Sequence, residues 1–316
     1  MMLLSEAIEA LTVACIADGR SPGTVREYRQ KLTALLVFLE DRDVTAVTVH
    51  DLRRFVAHLR SQSSRFADHP HRPEVPGGLS AATVAGYVRS IRRLYAFLVT
   101  EGVITSNPAR SLAMPKLPKG RAPKAISVAD FLLLLAAAEG DDLEAVRDQA
   151  MLKVLAETGC RVGGLIGLRL QDVDLVNGTA YVVEKGDKRR PVFFTEFAGD
   201  ALAAWLAVRP GGDCDQVFVT LRPAGHPLRR EAVHRMLTRL KAKSGAVGPC
   251  NPHAFRHGFA RTYLLSGGDL ATLSQLMGHS DIATTANSYA VFLPGELQAK
   301  HRQHSVAAVL RKEGKL

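Results

Sequence analysis

The amino-acid sequence predicts a mainly α-helical protein with a small antiparallel β-meander, organised as two domains. Leucines recur at helical spacing in the first third of the chain, and Asn177-Gly178 is a hairpin signal between two short β-type stretches. A basic, proline-rich segment separates these two regions. The 316 residues, 47% of them apolar, are sufficient for two buried cores.

The first domain is expected to span residues 1–113 and to consist of helices joined by turns. Bounds are predicted for these helices: Thr24–Asp41, Val49–Ser61 and Ser80–Thr100. Ser21-Pro22 provides a cap and a first-turn proline for the earliest of them. Leucines follow at three- and four-residue spacing: Leu32, Leu35, Leu36 and Leu39.

Residues 62–79 contain prolines and a Gly-Gly pair, so they are expected to form a surface loop in which His69 and His71 are solvated. Asn107-Pro108 ends the third helical stretch, and residues 114–124 are the predicted linker. Prolines make such a segment extended and semi-rigid. Its bases suit contact with a phosphate backbone: Lys116, Lys119, Arg121 and Lys124.

The second domain is expected to span residues 125–316. It begins with two predicted helices, Val128–Ala138 and Leu143–Thr158. Strands are predicted next, at Val173–Val176, Thr179–Glu184 and Arg190–Phe194. The remainder is expected to be helical, with a short strand at Val217–Thr220 and a terminal helix over Glu296–Lys312.

The net charge of +10 indicates a polyanionic partner. Between Ser80 and Lys124 a single acid, Glu101, stands against many bases: Arg89, Arg92, Arg93, Arg110, Lys116, Lys119, Arg121 and Lys124. One interpretation is a solvated helix face followed by a tether. Contact with DNA is favoured, because the basic excess continues from a helix into the linker.

Several other classes are disfavoured by the sequence. No apolar run is long enough to span a bilayer, and the first residues lack the pattern of a secretion signal. The cysteines lie far apart without CxxC spacing, which disfavours a disulfide framework or a zinc site and favours the reducing cytosol. No membrane association, metal or cofactor is expected.

Two segments offer groups that bind phosphate. Arg161 follows Gly159, a C-cap signal, so it is expected at a corner between helices, where its guanidinium can hold a phosphate bidentately. His253, Arg256 and His257 are spaced to share one helix face. No cysteine or carboxylate completes a metal site near them, and His257 is expected to be a structural, hydrogen-bonding histidine.

Two further segments offer a proton donor and a nucleophile. Lys185 lies in a charged turn, from which a lysine can enter a groove; spacing alone fits a merely charged turn equally well, and Lys188 is the second candidate. His279 follows Gly278, and Tyr289 comes ten residues later. A tyrosine, with a pKa of about 10, needs a strongly electropositive site to act as a nucleophile.

Segments 158–162, 253–257 and 278–289 together resemble the active site of the tyrosine recombinases, the phage integrase family. The resemblance implies that Tyr289 attacks the scissile phosphate to form a 3′-phosphotyrosyl link. It implies that Lys185, 24 residues after Arg161, protonates the departing 5′-oxygen. It also implies a set of phosphate-binding residues: Arg161, His253, Arg256 and His279.

The same resemblance covers nearly the whole chain. It implies a helical, SAM-like core-binding domain and a catalytic domain that form a C-shaped clamp around DNA. The expected partner is double-stranded DNA with paired half-sites, bound by a homo-tetramer with or without a second recombinase. Lys188 joins the bases of the third helix and linker as an expected DNA contact, and the expected location is the cytoplasm, at the nucleoid.

Two departures from the family pattern bear on mechanism and role. Family members commonly carry a glutamate three residues after the first arginine, where this chain has Gly164. Xer recombinases usually place the tyrosine one residue closer to the last histidine, so the spacing here favours an integrase of a mobile element. The two-domain layout, in contrast, is Xer-like. Two roles are therefore retained, each proceeding through a Holliday junction: integration and excision of a mobile element, or Xer-like resolution.

Two rival functions are also considered. A type IB topoisomerase has similar chemistry, but it relaxes supercoils as a monomer, and the compact two-domain layout favours a recombinase. A catalytically inactive DNA-binding protein has no physical need for the whole set of arginines, histidines, lysine and tyrosine. Covalent trapping on a nicked DNA substrate separates an enzyme from an inactive binder.

Overall fold

The computed structural model describes residues 1–65, 73–116, 124–184, 188–212, 214–279, 281–289, 294–312 and 314. The chain divides into two compact units, Met1–Lys119 and Gly120–Leu316. Within the described ranges, most residues are helical and the sheets are small and antiparallel, which confirms the predicted fold class. A search of the same ranges finds no helix long and apolar enough to cross a membrane.

The first unit is built from helices around its own apolar core. These are α1 (Leu4–Ala17), α2 (Pro22–Leu39), α3 (Val49–Ser61) and α4 (Ala81–Thr100), with a 3₁₀ turn at Val44–Ala46. No bounds were predicted for α1. One face of this helix is nevertheless buried at helical spacing, at Leu4, Ala7, Leu11 and Cys15.

Helix α2 has the predicted cap and first-turn proline, but it begins at Pro22 rather than Thr24 and ends at Leu39 rather than Asp41. Ser21 accepts a hydrogen bond from the Thr24 amide, and Pro22 occupies the first turn. Glu40 and Asp41 take positive φ angles of 56° and 52°, which ends the helix at Leu39. Asp41 then accepts a hydrogen bond from the Ser5 amide at 2.8 Å, so the turn joins α2 to the start of α1.

The stretch expected as a loop contains a short antiparallel pair, β1 (Ser64–Arg65) and β2 (Val75–Pro76). His69 and His71 lie outside the described residues. The pairing was not predicted because each strand has only two residues and carries no apolar alternation.

The second unit opens with helices whose ends follow local sequence signals. These are α5 (Val128–Ala137), α6 (Leu143–Thr158) and α7 (Val162–Gly167). Asp142 caps α6, and Gly159 ends it with a φ of 55°, so this helix has the predicted bounds. Helix α5 ends one residue before its predicted end.

The predicted meander is present: β3 (Val173–Asp174), β4 (Thr179–Glu184) and β5 (Lys188–Phe193) pair antiparallel in that order. Gly178 has a φ of 60° in the predicted turn between β3 and β4. The first strand is shorter than predicted, and the third begins at Lys188 rather than Arg190. This register places Glu184 opposite Lys188, at the end of the β4–β5 pair where the chain passes from one strand to the next.

A second small sheet lies beyond α8 (Glu196–Val208), formed by β6 (Val219–Leu221) and β7 (Ala224–Pro227). The predicted strand began earlier, at Val217. That residue is engaged elsewhere, because its amide donates to the Leu168 carbonyl and its carbonyl accepts from the indole of fully buried Trp205 at 2.8 Å.

Helices complete the chain: α9 (Arg230–Ser244), α10 (Pro252–Leu265), α11 (Leu270–Met277), α12 (Ile282–Tyr289), α13 (Pro294–His304) and α14 (Val306–Lys312). Asn251 caps α10, and Gly278 ends α11 with a φ of 66°. The predicted terminal helix over Glu296–Lys312 is two helices. Ser305 separates them and accepts a hydrogen bond from the Ala308 amide at 3.3 Å, starting a new helix.

Candidate active site

Arg256 lies at the centre of the residues predicted to be catalytic. Its side chain is 4% exposed and donates to the Gly159 carbonyl at 2.8 Å and the Met277 carbonyl at 2.6 Å. It also lies 3.1 Å from Nε2 of His279. These contacts tie α10 to the ends of α6 and α11, so the guanidinium is held in one position. Burial and the neighbouring charge of Arg161 lower the pKa of Arg256.

Arg161 occupies the predicted corner between α6 and α7. It is the N-cap of α7, with extended φ and ψ of −70° and 152°. Its amide donates to Glu184 at 2.9 Å, and its guanidinium pairs with the same carboxylate. About a third of the side chain stays exposed, at 35%, so the guanidinium is both anchored and open to a ligand.

Glu184, at the end of β4, joins the arginines of the site. Its side chain is 3% exposed and accepts from Nη2 of Arg190 at 3.0 Å, while Arg256 approaches it at 3.8 Å. Burial raises the pKa of Glu184, but hydrogen bonds and charges from Arg190 and Arg161 outweigh it and hold that pKa below its usual value. The carboxyl group is therefore ionised at neutral pH.

His279 lies between Arg256 and a buried hydroxyl group. Its Nδ1 is 2.7 Å from Oγ1 of Thr285, whose side chain is fully buried. Burial, followed by the charges of Arg256 and Arg161, lowers the pKa of His279 to about 4. The imidazole is therefore neutral at pH 7 in the free protein.

Tyr289 ends α12 and lies against two histidines. It is 5% exposed, and its ring is nearly parallel to that of His279, with centroids 6.3 Å apart. The His257 ring is 5.3 Å away. Burial raises the pKa of Tyr289, although a hydrogen bond from Arg256 and the charge of that arginine act in the opposite direction. The phenol is therefore protonated at neutral pH.

The two remaining histidines of α10 differ in environment. His253 is exposed, and partial desolvation together with the charges of Arg256 and Arg161 lowers its pKa. His257 is half-buried, and its Nδ1 is buried with no hydrogen-bond partner among the described residues. The described part of the structure therefore offers no partner at that atom for the expected hydrogen bond of His257.

Only one of the two candidate lysines lies among the described residues. Lys185 lies outside the described residues. Lys188, the second candidate, is exposed at the start of β5, opposite Glu184 in the strand register.

The residues predicted to contact DNA fall into three groups. Arg89, Lys116 and Lys124 are exposed, and Lys119 and Arg121 lie outside the described residues. Arg92 donates to the Leu112 carbonyl, and Arg93 pairs with Asp18 at 3.7 Å. Arg92 therefore helps to fold its own unit, a role that the charge count could not distinguish from DNA contact.

Three residues that hold the site together were not predicted from the sequence: Glu184, Arg190 and Thr285. Arg190 donates to the Leu276 carbonyl at 2.6 Å as well as to Glu184, so it connects β5 to α11. Gly164 indicated that a carboxylate common in the family was missing, but nothing in the sequence pointed to Glu184. Across the described part of the chain, no cluster of histidine, cysteine and carboxylate groups is arranged to hold a metal ion.

Comparison with known proteins identifies the class. Residues 125–293 match the phage integrase family, and residues 14–102 match the phage integrase N-terminal SAM-like domain. The first match covers more than half of the 316 residues. The chain therefore belongs to the phage integrase family, the tyrosine recombinases, as the resemblance predicted.

Individual relatives agree with this assignment. Tyrosine recombinase XerD of Halalkalibacterium halodurans is 32% identical over 279 residues, covering 85% of this chain and 87% of the relative. Tyrosine recombinase XerC of Yersinia pestis is 33% identical over 284 residues, covering 89% of each. The crystal structure of a lambda integrase dimer bound to a COC′ core site covers 90% of this chain and 97% of that one, with a TM-score of 0.70 and 19% identity, and supports the fold.

Proposed function

We propose that this tyrosine recombinase cleaves DNA through Tyr289, with Arg161, Arg256, His253 and His279 binding the scissile phosphate. The observation that supports the proposal most strongly is the position of Arg256. This one buried guanidinium lies 3.1 Å from Nε2 of His279, whose ring is stacked on that of Tyr289, and its charge acts to lower the pKa of Tyr289. A phosphate held by Arg256 would therefore lie next to the attacking hydroxyl group.

The positive charges of the two arginines suit a reaction whose transition state carries extra negative charge on the phosphate. Arg161 and Arg256 both approach Glu184, so their guanidinium groups can share one ligand the size of a phosphate. Both stay cationic, while the transition state places extra charge on the non-bridging oxygens. Fixed donors aimed at developing charge commonly provide the largest catalytic contribution.

The reaction needs no external energy source, because each phosphorus–oxygen bond that breaks is replaced by another. The Tyr289 oxygen bonds to phosphorus as the bond from phosphorus to the 5′-oxygen breaks. The phenol is protonated in the free protein, so it must lose its proton during attack, and the neutral imidazoles beside it are able to accept one. Lys185 would protonate the departing oxygen, and a 5′-hydroxyl from another strand would reverse the step.

The proposal is tested by covalent trapping. Nicked duplexes from the DNA flanking the gene are incubated with the protein. Cleavage then releases a short strand that carries the 5′-hydroxyl, so religation is prevented and the covalent adduct accumulates. Tyr289→Phe should retain DNA binding and form no adduct, whereas Tyr263→Phe, a matched tyrosine outside the catalytic set, should form it normally. An adduct with Tyr289→Phe would refute the assignment and direct attention to Tyr263.

We further infer that the chain acts on paired half-sites as a homo-tetramer, with residues 1–113, 114–124 and 125–316 surrounding the duplex as a clamp. Exposed Arg89, Lys116 and Lys124, and the net charge of +10, support DNA contact. Such a protein would act in the cytoplasm, at the nucleoid. The relatives named XerC and XerD favour Xer-like resolution, and the longer spacing before Tyr289 favours a mobile element.

A further inference from the structure

Glu184 is a buried carboxylate whose partners are arginines of the proposed active site. It accepts from the Arg161 amide at 2.9 Å and from Arg190 at 3.0 Å, and it lies 3.8 Å from Arg256. Its side chain is 3% exposed. A buried carboxylate shared in this way fixes where its partners lie, because moving any one of them breaks a charge-assisted contact in a dry environment.

Gly164, on α7, packs against the strand that carries this carboxylate. A Cβ atom built on Gly164 would lie 3.1 Å from Cβ of Val182 and 3.5 Å from Cγ of Glu184. Gly164 is itself buried. A longer side chain here would compete with Glu184 for the same volume, so the glycine and the glutamate depend on each other.

We propose that Glu184 is the positioning residue for Arg161 and Arg256, and that Gly164 and Glu184 form an exchanged pair. In this pair the carboxylate comes from strand β4, and position 164 of α7, where the sequence departs from the family pattern, carries no side chain. The proposal rests on the proposed function, since it concerns how the phosphate-binding arginines are oriented. Glu184 touches neither DNA nor Tyr289 in this account.

The reason for such a residue is electrostatic. Arg161, Arg190 and Arg256 surround Glu184, and without its charge their guanidinium groups would repel one another across a poorly solvated site. One carboxylate removes part of this repulsion and leaves net positive charge for the phosphate. Arg161 keeps its exposed portion, so anchoring by Glu184 and binding of a ligand are compatible.

The first test is Glu184→Gln, which keeps the shape and removes the charge. We expect the cleavage rate constant on the nicked substrate at saturating protein to fall by at least about ten-fold, because misplaced phosphate donors lose transition-state stabilisation. The dissociation constant for DNA should change by less than about three-fold, since most DNA affinity comes from other phosphate contacts. A wild-type cleavage rate would overturn the proposal.

Asp148→Asn is the matched control. Asp148 is likewise buried and pairs with two arginines, Arg147 and Arg239, which contact none of the proposed catalytic residues in the described structure. It should lower the melting temperature and leave the saturated cleavage rate unchanged. If Asp148→Asn reduced that rate as much as Glu184→Gln did, Glu184 would be merely structural.

The exchange itself is tested by returning the carboxylate to α7. Glu184→Gly and Gly164→Glu should each impair cleavage, the first by losing the carboxylate and the second by crowding Glu184. The double variant should cleave at least about ten-fold faster than Glu184→Gly, because a glutamate at position 164 has then gained the vacated space. A double variant that stays as slow as Glu184→Gly, or fails to fold, would refute the exchange.

A measurement without catalysis separates this proposal from the proposed function. Thermal unfolding of Arg161→Ala, Glu184→Gln and their combination forms a double-mutant cycle. The two changes should be strongly non-additive, because each removes the same contact. Additive effects would overturn the positioning role even if the wild-type protein cleaved DNA, and non-additive effects would support it even if the wild type formed no adduct.

Discussion

Burial and the charge of Arg256 act together on the protonation of His279 and in opposition on that of Tyr289. Together with burial, the fixed charge of Arg256 keeps His279 neutral in the free protein, with a pKa of about 4. Burial keeps Tyr289 protonated against the opposing influence of the same guanidinium. In the free site the arginines therefore carry the positive charge, while His279 and Tyr289 are uncharged. His279 and Tyr289 can then exchange protons when the phosphate binds.

The low pKa of His279 predicts a pH dependence of stability. The ordinary pKa of 6.5 falls to about 4 on folding, so the unfolded chain binds a proton first as the pH drops. The stability due to this group is present above pH 6.5 and is lost as the pH falls toward 4. In urea unfolding, His279→Asn should be less stable than the wild type at pH 7, and the difference should narrow toward pH 4.5.

His226→Asn provides the control for this measurement, because His226 is an exposed histidine on β7. Measured in parallel, this variant shows the effect of removing an exposed histidine at each pH. A constant difference for His279→Asn would mean that the site does not hold His279 neutral.

At the scale of elements, the ends of α6 and the turn before β4 were predictable because their signals are local. Asp142, Gly159 and Gly178 each determine a cap or turn within a few residues. The role of Glu184 was not predictable, because it depends on β4 lying against α7 and on an ion pair across 23 residues of chain. The break at Ser305 was missed because the apolar spacing continues through it.

The predicted catalytic residues illustrate the same limit. The order of Arg161, Arg256 and Tyr289 along the chain was sufficient to suggest the chemistry. The contact of Arg256 with Gly159 and Met277 could not be inferred, because it joins the ends of α6 and α11 through backbone carbonyls that any residue possesses. Local patterns thus identify the reactive groups, and tertiary packing supplies the groups that orient them.

The terminal helices lead to a prediction about assembly. Helix α13 is attached to its own unit through an ion pair between Glu296 and Arg261 of α10. On α14, Val306 is 75% exposed, which leaves an apolar side chain free for a neighbouring protomer. Deleting residues 305–316 should preserve binding to one site and abolish the complex of two sites in gel-shift and sedimentation experiments.

A shorter deletion of residues 313–316, which spares α14, is the control for this truncation and should assemble normally. If the longer truncation still brought two sites together, α14 would belong to its own protomer and the assembly proposal would fail.

At the scale of the whole molecule, the net charge of +10 predicts electrostatic binding to DNA. If about six phosphates are neutralised, the logarithm of affinity should fall against the logarithm of salt concentration with a slope of roughly −5. Replacing both Lys116 and Lys124 by alanine should reduce the magnitude of that slope by about 2. The control is Asp172→Asn, which removes an acidic group from the second unit and should not reduce the magnitude of the slope. A nearly flat dependence of affinity on salt concentration would contradict the clamp.

The proposal that Tyr289 is the nucleophile is tested most directly by identifying the residue that becomes joined to DNA. The adduct formed on a nicked duplex is digested with nuclease and protease, and the peptide bearing the nucleotide is sequenced by mass spectrometry. We expect a single modified residue, Tyr289, linked to a 3′-phosphate. Modification of Tyr263, linkage to a 5′-phosphate, or no modified peptide from DNA that the protein binds would contradict the proposal.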